Sequence, residues 1–439
     1  MHEWLRRRLH SSRVPADLDS VTEVDTQGEQ PAADAGISAE ALNAVWEKVA
    51  TLYRTGTHPG MQITLRHKGK LVLNRSLGHS QGNGPEDRAH GPRVRMTPET
   101  PVCFFSASKA VTALLVHMLA EDGLINLLDP VSSYCPEFAR NGKKHITIQQ
   151  ILSHRGGIPG LPRGTPIDAF WDEQHIWKLL CDARPIEADG STVAYHAITG
   201  GYVMGELVRR VTGESIATLL DKRLRQPMGM RYFTYGIDHD DLLDLAWNYA
   251  TGPKLVFPVS WIVERALGAD INTVAEISND PRFQEAIIPA GNLCGTAEEM
   301  GRFFQMMLNG GTWNGRLICD RETVIGAVQA YGRMQIDRTM MIPMRFSTGF
   351  MLGAAPVGIW GSQSDEAFGH VGLINKWCWA DPSRDISVSL VNTGIPIVGH
   401  HLPALAGFVN QVCRSFPVLS ESERPLGVVQ GARRRPSSV

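Results

Sequence analysis

Apolar positions along the chain change their period in a way that separates helices from strands. Val111, Leu114, Leu115, Met118 and Leu119 recur at i, i+3, i+4, i+7 and i+8, and Gly123 ends the run, which predicts a helix with one buried face. After Thr296, Met300, Phe303, Phe304, Met307 and Leu308 fall on a second helical face that stops at Gly310-Gly311. Ser38-Ala39-Glu40-Ala41 opens a helix running to about Tyr53, and a last apolar helix covers about Pro403 to Arg414. Met61 to Arg66 and Leu71 to Arg75 flank the turn His67-Lys68-Gly69-Lys70 as a β-hairpin, and short strands broken by Gly and Pro follow Ser347. The stretch from about Val131 to Arg282, which includes Ile148 to Leu152 and Tyr202 to Val211, is helical and loop-rich, with few strand signals.

Sheet elements at both ends of the chain with a helical block between them predict an α/β fold of the α+β type. The expected division is a discontinuous α/β domain over 37–130 and 283–416 and an all-helical domain over 131–282, with a small-molecule site in the cleft between them. Residues 1–36, polar and acidic without periodicity over most of their length, are expected to form a flexible arm, and 417–439 a flexible tail.

Composition narrows the function classes. The 439 residues are 43% hydrophobic and 20% charged with a formal net charge of -2, an ordinary globular balance that implies no nucleic-acid partner. The run Arg433-Arg434-Arg435 lies in a Gly/Pro/Ser-rich end and reads as tail. Seven cysteines (103, 135, 181, 294, 319, 378 and 413) are scattered without a C-x-x-C pair, so neither a zinc knuckle nor a disulfide scaffold is indicated, and a reducing compartment, the cytoplasm, is expected. Met1 to Asp17 lacks a secretory h-region, and no stretch reaches transmembrane length. The Arg-bearing start Trp4 to Leu9 has the look of a presequence or a surface-binding helix, but the acidic stretch after it argues against both. No phosphate loop and no metal-ligand spacing emerges; His79, His154 and His196 read as structural, and no cofactor is expected.

Candidate chemistry begins at Ser106-Ala107-Ser108-Lys109. Residues three apart on a helix are neighbours, so the Lys109 amine can reach the Ser106 hydroxyl while Ser108 points elsewhere. A serine is a weak nucleophile until a base takes its proton, and a buried lysine with a depressed pKa is such a base. Two further segments follow in order, Tyr195-His196-Ala197 and His370-Val371-Gly372. Together the three resemble the serine β-lactamase and penicillin-binding-protein superfamily, most closely its class C-like carboxylesterases, the family VIII esterases. Ile146-Thr147-Ile148, Leu152 to Ile158, Gly205 to Gly213 and Ala380-Asp381-Pro382 support the resemblance, which spans about Ile37 to Phe416.

The resemblance implies an antiparallel sheet flanked by helices plus the all-helical lobe. It implies that Ser106 is acylated, Lys109 acts as base and Tyr195 shares the proton transfer as a phenol of lowered pKa beside Lys109. It places the oxyanion hole at the backbone N–H groups of Ser106 and Leu373, and substrate contacts at His370 and Gly372. Trp360, with Trp377 and Trp379, is a candidate wall of an acyl pocket. Ala197 stands where the family commonly has Asn, and His370 where penicillin-recognising members have Lys. A largely neutral histidine there cannot pair permanently with a substrate carboxylate, so esters are favoured over anionic β-lactams. The expected partner is a small-molecule ester with a short or medium acyl chain. An acyltransferase, a D-amino-acid peptidase, a weak β-lactamase and a non-catalytic scaffold are the alternatives. A competing motif, Gly78-His79-Ser80-Gln81-Gly82, fits the nucleophile elbow Gly-x-Ser-x-Gly, but the polar run Asn83 to Asp87 follows it where a helix is needed.

Overall fold

A computed structural model of the chain describes residues 6, 9–162, 164–420 and 422–425. The run Arg433 to Arg435 and most of the segment Trp4 to Leu9 lie outside the described residues. Strands β1 (Thr22–Val24), β2 (Gly60–His67), β3 (Lys70–Gln81) and β4 (Val94–Arg95) come from the N-terminal part; β5 (Val102–Cys103), β6 (Thr234–Tyr235) and β7 (Leu293–Gly295) form a separate small sheet. Strands β8 (Met351–Leu352), β9 (Phe368–Gly372), β10 (Lys376–Asp381) and β11 (Ile386–Asn392) come from the C-terminal part. The main sheet is antiparallel, in the order β1-β3-β2-β11-β10-β9-β8, with β4 on β3. Pairing of β2 with β11, Ile63 opposite Leu390, joins the two ends of the chain as the element order predicts.

The helices that frame the sheet and the site include α1 (Ala39–Arg54), α2 (Ser108–Glu121), α3 (Ile148–Leu152), α4 (Glu173–Asp182), α5 (Thr199–Thr212), α6 (Ile216–Leu220), α7 (Ala297–Leu308) and α8 (His401–Ser415). Their starts are set locally: Ser38 accepts the Ala41 N–H at the head of α1, and capping boxes Thr147/Gln150 and Thr296/Glu299 open α3 and α7. Helices α1 and α8 pack on each other and cover one face of the sheet, and α7 and α2 cover the other. With both faces covered, β11 is buried along its whole length. Ile386, Val388 and Leu390 join the α1/α8 cluster, while Ser387 donates to the Gly301 carbonyl of α7 at 3.3 Å. Gly301 lets α7 sit this close, since a Cβ there would meet Thr64 of β2 at 3.0 Å.

Three expectations change. Helix α2 is buried from Ser108 through Leu119 on all sides, not on one face. The sheet and α7 lie on one side and the lobe helices on the other, and Ala107, Ala110 and Ala113 fill the positions that the apolar period leaves out. Helical residues of 131–282, including Val131, Phe138, Leu180, Val203 and Leu207, share one continuous apolar cluster with Leu114, Met300 and Phe304 instead of enclosing a core of their own. The N-terminal segment is bound to the sheet edge: Thr22 pairs with Leu77, the Ser12 N–H donates to the Gly56 carbonyl at 2.7 Å and the Gln30 N–H to the Leu71 carbonyl at 2.7 Å. Backbone pairing of this kind holds a polar segment that has no hydrophobic period. Past α8, Leu419 N–H bonds to the Ser383 carbonyl and Arg424 pairs with Glu366 at 3.4 Å.

Candidate active site

Ser106 lies on a single 3₁₀ turn, Phe105–Ala107, between β5 and α2, and keeps part of its surface open. Phe105 just before it has φ 45°, the left-handed region that a non-glycine residue occupies only under constraint. The constraint comes from β7. Phe104 N–H donates to the Leu293 carbonyl at 2.8 Å, and the Leu293 N–H donates to Ser108 Oγ at 3.0 Å. Ser108 Oγ in turn donates to the Phe105 carbonyl. Ser108 therefore braces the turn from beneath, the direction away from the nucleophile that its spacing predicts.

Lys109 Nζ lies 3.0 Å from Ser106 Oγ, 2.6 Å from the Ala197 carbonyl and 2.9 Å from the Ala290 carbonyl. It is buried, with no acidic partner among the described residues, and burial holds its pKa well below the usual lysine range. A neutral amine has two N–H donors and one lone pair. In that form the two carbonyls can take the donors, and the lone pair is then available to the Ser106 hydroxyl. Ala197, where the family's amide side chain is missing, thus still contributes through its backbone.

Tyr195 is 6% exposed, with its ring centroid 5.0 Å from Lys109 Nζ and its hydroxyl hydrogen-bonded to Ser106. Burial pushes the phenol well above the usual tyrosine range, against the opposing pull of the Ser106 contact. This reverses the expected lowering. The ammonium that was to favour a phenolate is itself disfavoured by burial, which lowers the Lys109 pKa, so burial pushes both groups toward their neutral forms. The segment carrying it is tied at several points: Ala194 N–H to the His154 carbonyl at 3.0 Å, His196 N–H to His154 Nδ1 at 3.1 Å and Arg338 N–H to the Val193 carbonyl at 2.9 Å. Arg155 donates to the carbonyls of Gly190 and Ser191 at 3.0 and 3.1 Å. The His154 ring lies 4.5 Å from the Tyr195 ring, and Phe346 is stacked with Tyr195 at 6.5 Å and edge-on to His154 at 4.8 Å. His154 and Phe346 were not legible as site residues. His154 does fall within the Leu152 to Ile158 motif and has a positive φ of 61°, the one signal that marks its loop as specialised.

His370 on β9 is 1% exposed and sits 6.2 Å from Tyr195, ring to ring. Its Nδ1–H donates to the Val371 carbonyl at 2.9 Å, so Nε2 carries the lone pair, and that acceptor is buried without a partner. Burial, assisted by Lys109, pushes its pKa down to about 3. Gly372 presses β9 onto the nucleophile turn, where a Cβ would come 2.1 Å from the Phe104 carbonyl oxygen. The next residues, Leu373 and Ile374, both have positive φ, 41° and 68°, and Asn375 holds this bend by donating to the carbonyls of Leu373 and Pro396 at 3.0 and 2.8 Å.

Trp360 does not join this group. It is 1% exposed, stacked on Trp379 at 5.5 Å with its indole N–H on the Met351 carbonyl at 3.0 Å, and Trp379 packs edge-on to Phe408 of α8. Trp377 and Trp379 alternate with Cys378, which pairs with His370, so the tryptophans occupy the opposite sheet face and belong to its core. Ser80 lies inside β3, 1% exposed, with no helix after it, and is no nucleophile elbow.

The buried imidazoles make a separate prediction. His117, His196 and His370 are held neutral down to about 4, 4 and 3, each chiefly by burial. Between those values and the ordinary 6.5 the unfolded chain binds more protons than the folded one, so stability falls as pH drops through that window and levels off below it. Urea unfolding at pH 7, 6 and 5 is expected to lose on the order of 1 kcal/mol per pH unit for each such histidine.

The comparisons with known proteins bear on the family and the fold. Residues 45–398 match the family model described as Beta-lactamase. The Esterase/beta-lactamase LipL of Mycobacterium tuberculosis (strain ATCC 25618 / H37Rv) is 30% identical over 318 residues, which is 70% of this chain and 72% of that protein. A penicillin-binding protein homolog from Caulobacter crescentus superposes with a TM-score of 0.73 at 25% identity, covering 86% of this chain and 98% of its own. A family VIII carboxylesterase gives the same TM-score, identity and coverage. A sequence match over most of the chain, joined to a shared fold over nearly the whole of two solved structures, places the chain in the beta-lactamase family of serine hydrolases.

Proposed function

We propose that the protein is a serine esterase that cleaves short- or medium-chain carboxylic esters through an acyl-enzyme at Ser106. The observation that carries this reading is the placement of the buried Lys109 amine, whose Nζ lies 3.0 Å from Ser106 Oγ and within hydrogen-bond distance of the Ala197 and Ala290 carbonyls. Ser106 Oγ attacks the ester carbonyl and its proton passes to Lys109 Nζ. The carbonyl oxygen becomes an oxyanion held by the N–H groups of Ser106 and Leu373. Collapse of the tetrahedral intermediate expels the alkoxide, which takes the phenol proton of Tyr195, and Tyr195 recovers its proton from the Lys109 ammonium. Water enters, gives its proton to Lys109 and attacks the acyl carbon. Oγ leaves with that proton and the acid is released. Nucleophile, base and acid all come from side chains, so the scheme calls on no cofactor.

His370 and Gly372 would flank the acyl carbonyl. His370, neutral at all working pH values, gives no fixed charge for a substrate carboxylate, which supports esters over β-lactams. Nitrocefin is accordingly expected to be turned over at least about 100-fold more slowly than p-nitrophenyl butyrate, since a lost charge-assisted pair is worth roughly 3 kcal/mol. The seven free thiols suit a reducing compartment such as the cytoplasm; among the described residues no helix is long and apolar enough to cross a membrane.

The test is burst-phase hydrolysis of p-nitrophenyl butyrate by wild type, Ser106→Ala and Ser80→Ala, with intact-mass detection of the adduct. Wild type and Ser80→Ala are expected to show burst and adduct, and Ser106→Ala neither. Equal rates for wild type and Ser106→Ala would overturn the assignment. Release of a butyryl ester of an added alcohol, at the expense of butyrate, would identify an acyltransferase instead.

A further inference from the structure

Lys376 carries a charge for which the acyl-enzyme scheme has no task. It is fully buried, at 0% exposure, and stands opposite Gly372 in the β9–β10 register. Its side chain therefore leaves the sheet on the same face as Gly372, Cys378 and His370, the face against which the Phe105–Ala107 turn packs. Nζ lies 4.5 Å from the centroid of the Phe105 ring and 3.4 Å from Asn248 Oδ1, its one hydrogen bond among the described residues. Among the described residues no carboxylate faces it. The titratable groups around it are Cys103 of β5, Cys378 of β10 and His58 in the loop before β2, with His401 of α8 packed edge-on to His58. Burial raises the two thiols to about 11 and about 12, lowers His401 to about 4 and drives His58 well below the usual histidine range, so each of the four is neutral near pH 7.

An unpaired ammonium in the interior is expensive, and an apolar side chain of the same length would fill its space at lower cost. Such a group persists where its field is used. The place where negative charge develops is adjacent: Phe105 immediately precedes Ser106, and Gly372 immediately precedes Leu373. We propose that Lys376 is an electrostatic positioning residue of the oxyanion hole, its ammonium held against the Phe105 ring so that a fixed positive potential acts on the oxygen gathered by the Ser106 and Leu373 amides. It touches neither substrate nor Ser106, and acts through the turn and the β9 end that it underlies. The proposal rests on the Ser106 acyl-enzyme reading. Burial lowers Lys376 to about 8, so the charge is present at neutral pH and disappears as the pH rises past that value. Activity then has two limbs of opposite origin, rising as Lys109 loses its proton and falling as Lys376 loses its own.

The experiment is the pH dependence of kcat/KM for p-nitrophenyl butyrate in wild type, Lys376→Met and Lys376→Arg, with thermal melting of each and Ser106→Ala as the control. Lys376→Met is expected to fall about tenfold at pH 7, to lose the alkaline limb near 8, and to melt no lower than wild type. Lys376→Arg is expected to recover most of the rate and to carry activity to higher pH, because a guanidinium keeps its charge. A Lys376→Met enzyme with the wild-type rate and the wild-type alkaline limb overturns the proposal. So does a loss of rate matched by a drop in melting temperature in both variants, which is the mark of a packing role. An unchanged rate in Ser106→Ala is a different failure: it removes the acyl-enzyme reading itself, and this inference with it.

Discussion

Lys109→Met is expected to lower kcat/KM for ester hydrolysis by roughly 10³- to 10⁴-fold, near the upper end of what a single general base contributes, while the protein still folds. The activity argument is geometric. The Ser106 hydroxyl has Lys109 Nζ at 3.0 Å as its proposed base, and Tyr195, the other group on Ser106, is a phenol raised by burial and so a poor base near neutrality. Stability answers to a different balance. Removing the amine relieves its burial, but the carbonyls of Ala197 and Ala290 lose their donors at about 1–3 kcal/mol each. These effects oppose one another, so a melting temperature within several degrees of wild type is expected beside an almost inactive enzyme. Lys109→Arg separates hydrogen-bond donor from base, because a guanidinium can donate to the two carbonyls but cannot accept a proton. It should be as inactive as Lys109→Met, and a rate within tenfold of wild type for Arg would sink the base assignment. The sign of the pH effect follows from the lowered pKa. Activity needs the neutral amine, so it rises with pH through the folded value of Lys109. Between that value and 10.5 the unfolded chain binds the extra proton, so stability rises with pH across the same window.

What the sequence made legible follows the physics that each signal reports. Strand β2 and helices α1, α7 and α8 have strong periodicity or caps and appear close to the expected bounds, whereas β3 runs on past the expected Arg75 to Gln81. Ser106, Lys109, Tyr195, His370 and Gly372 come together because the three motifs lie at element ends that the fold converges on one turn. Protonation was not legible, since the state of Tyr195 depends on how completely the lobe dehydrates Lys109, a property of tertiary packing. Trp360 misleads for a related reason: two tryptophans near His370 in sequence alternate to the far face of β10, so nearness along a strand does not mean nearness to the site. The wrapping of 11–36 rests on backbone bonds, on the Glu29–Arg75 pair and on scattered buried side chains, Leu18, Val21 and Ala35, that show no period, and the full burial of α2 rests on alanines that a search for large apolar residues passes over. Lys376 is invisible for the opposite reason, because a lone lysine in a sequence is by default a solvated one.

Gly372→Ala is expected to be the most damaging single-methyl change on the sheet side of the site. The added Cβ would stand 2.1 Å from the Phe104 carbonyl oxygen, 3.2 Å from its carbon and 3.3 Å from Lys376 Cβ. The first contact is with backbone, so no side-chain rotation relieves it. Phe104 cannot retreat, because its N–H is bonded to the Leu293 carbonyl at 2.8 Å and β5 is paired to β7 through Val102–Gly295 and Cys103–Cys294. The strand is no freer, being paired residue by residue with β10 from Phe368–Ala380 to Gly372–Lys376. Relief to ordinary contact needs a movement of more than about 1 Å between the Ser106 turn and the β9 end, and these carry the two N–H groups of the proposed oxyanion hole. Losing one such donor costs about 2.7–4 kcal/mol in the transition state, so kcat should fall by roughly 10² to 10³. KM should change much less, because the ground-state ester makes weaker use of the hole. The strain also acts on the fold, and overpacking of this kind costs about 1–3 kcal/mol, several degrees in melting temperature. Both readouts are needed: a variant that melts lower yet retains kcat would show that β9 can draw back without disturbing catalysis, and would remove Leu373 from the oxyanion hole.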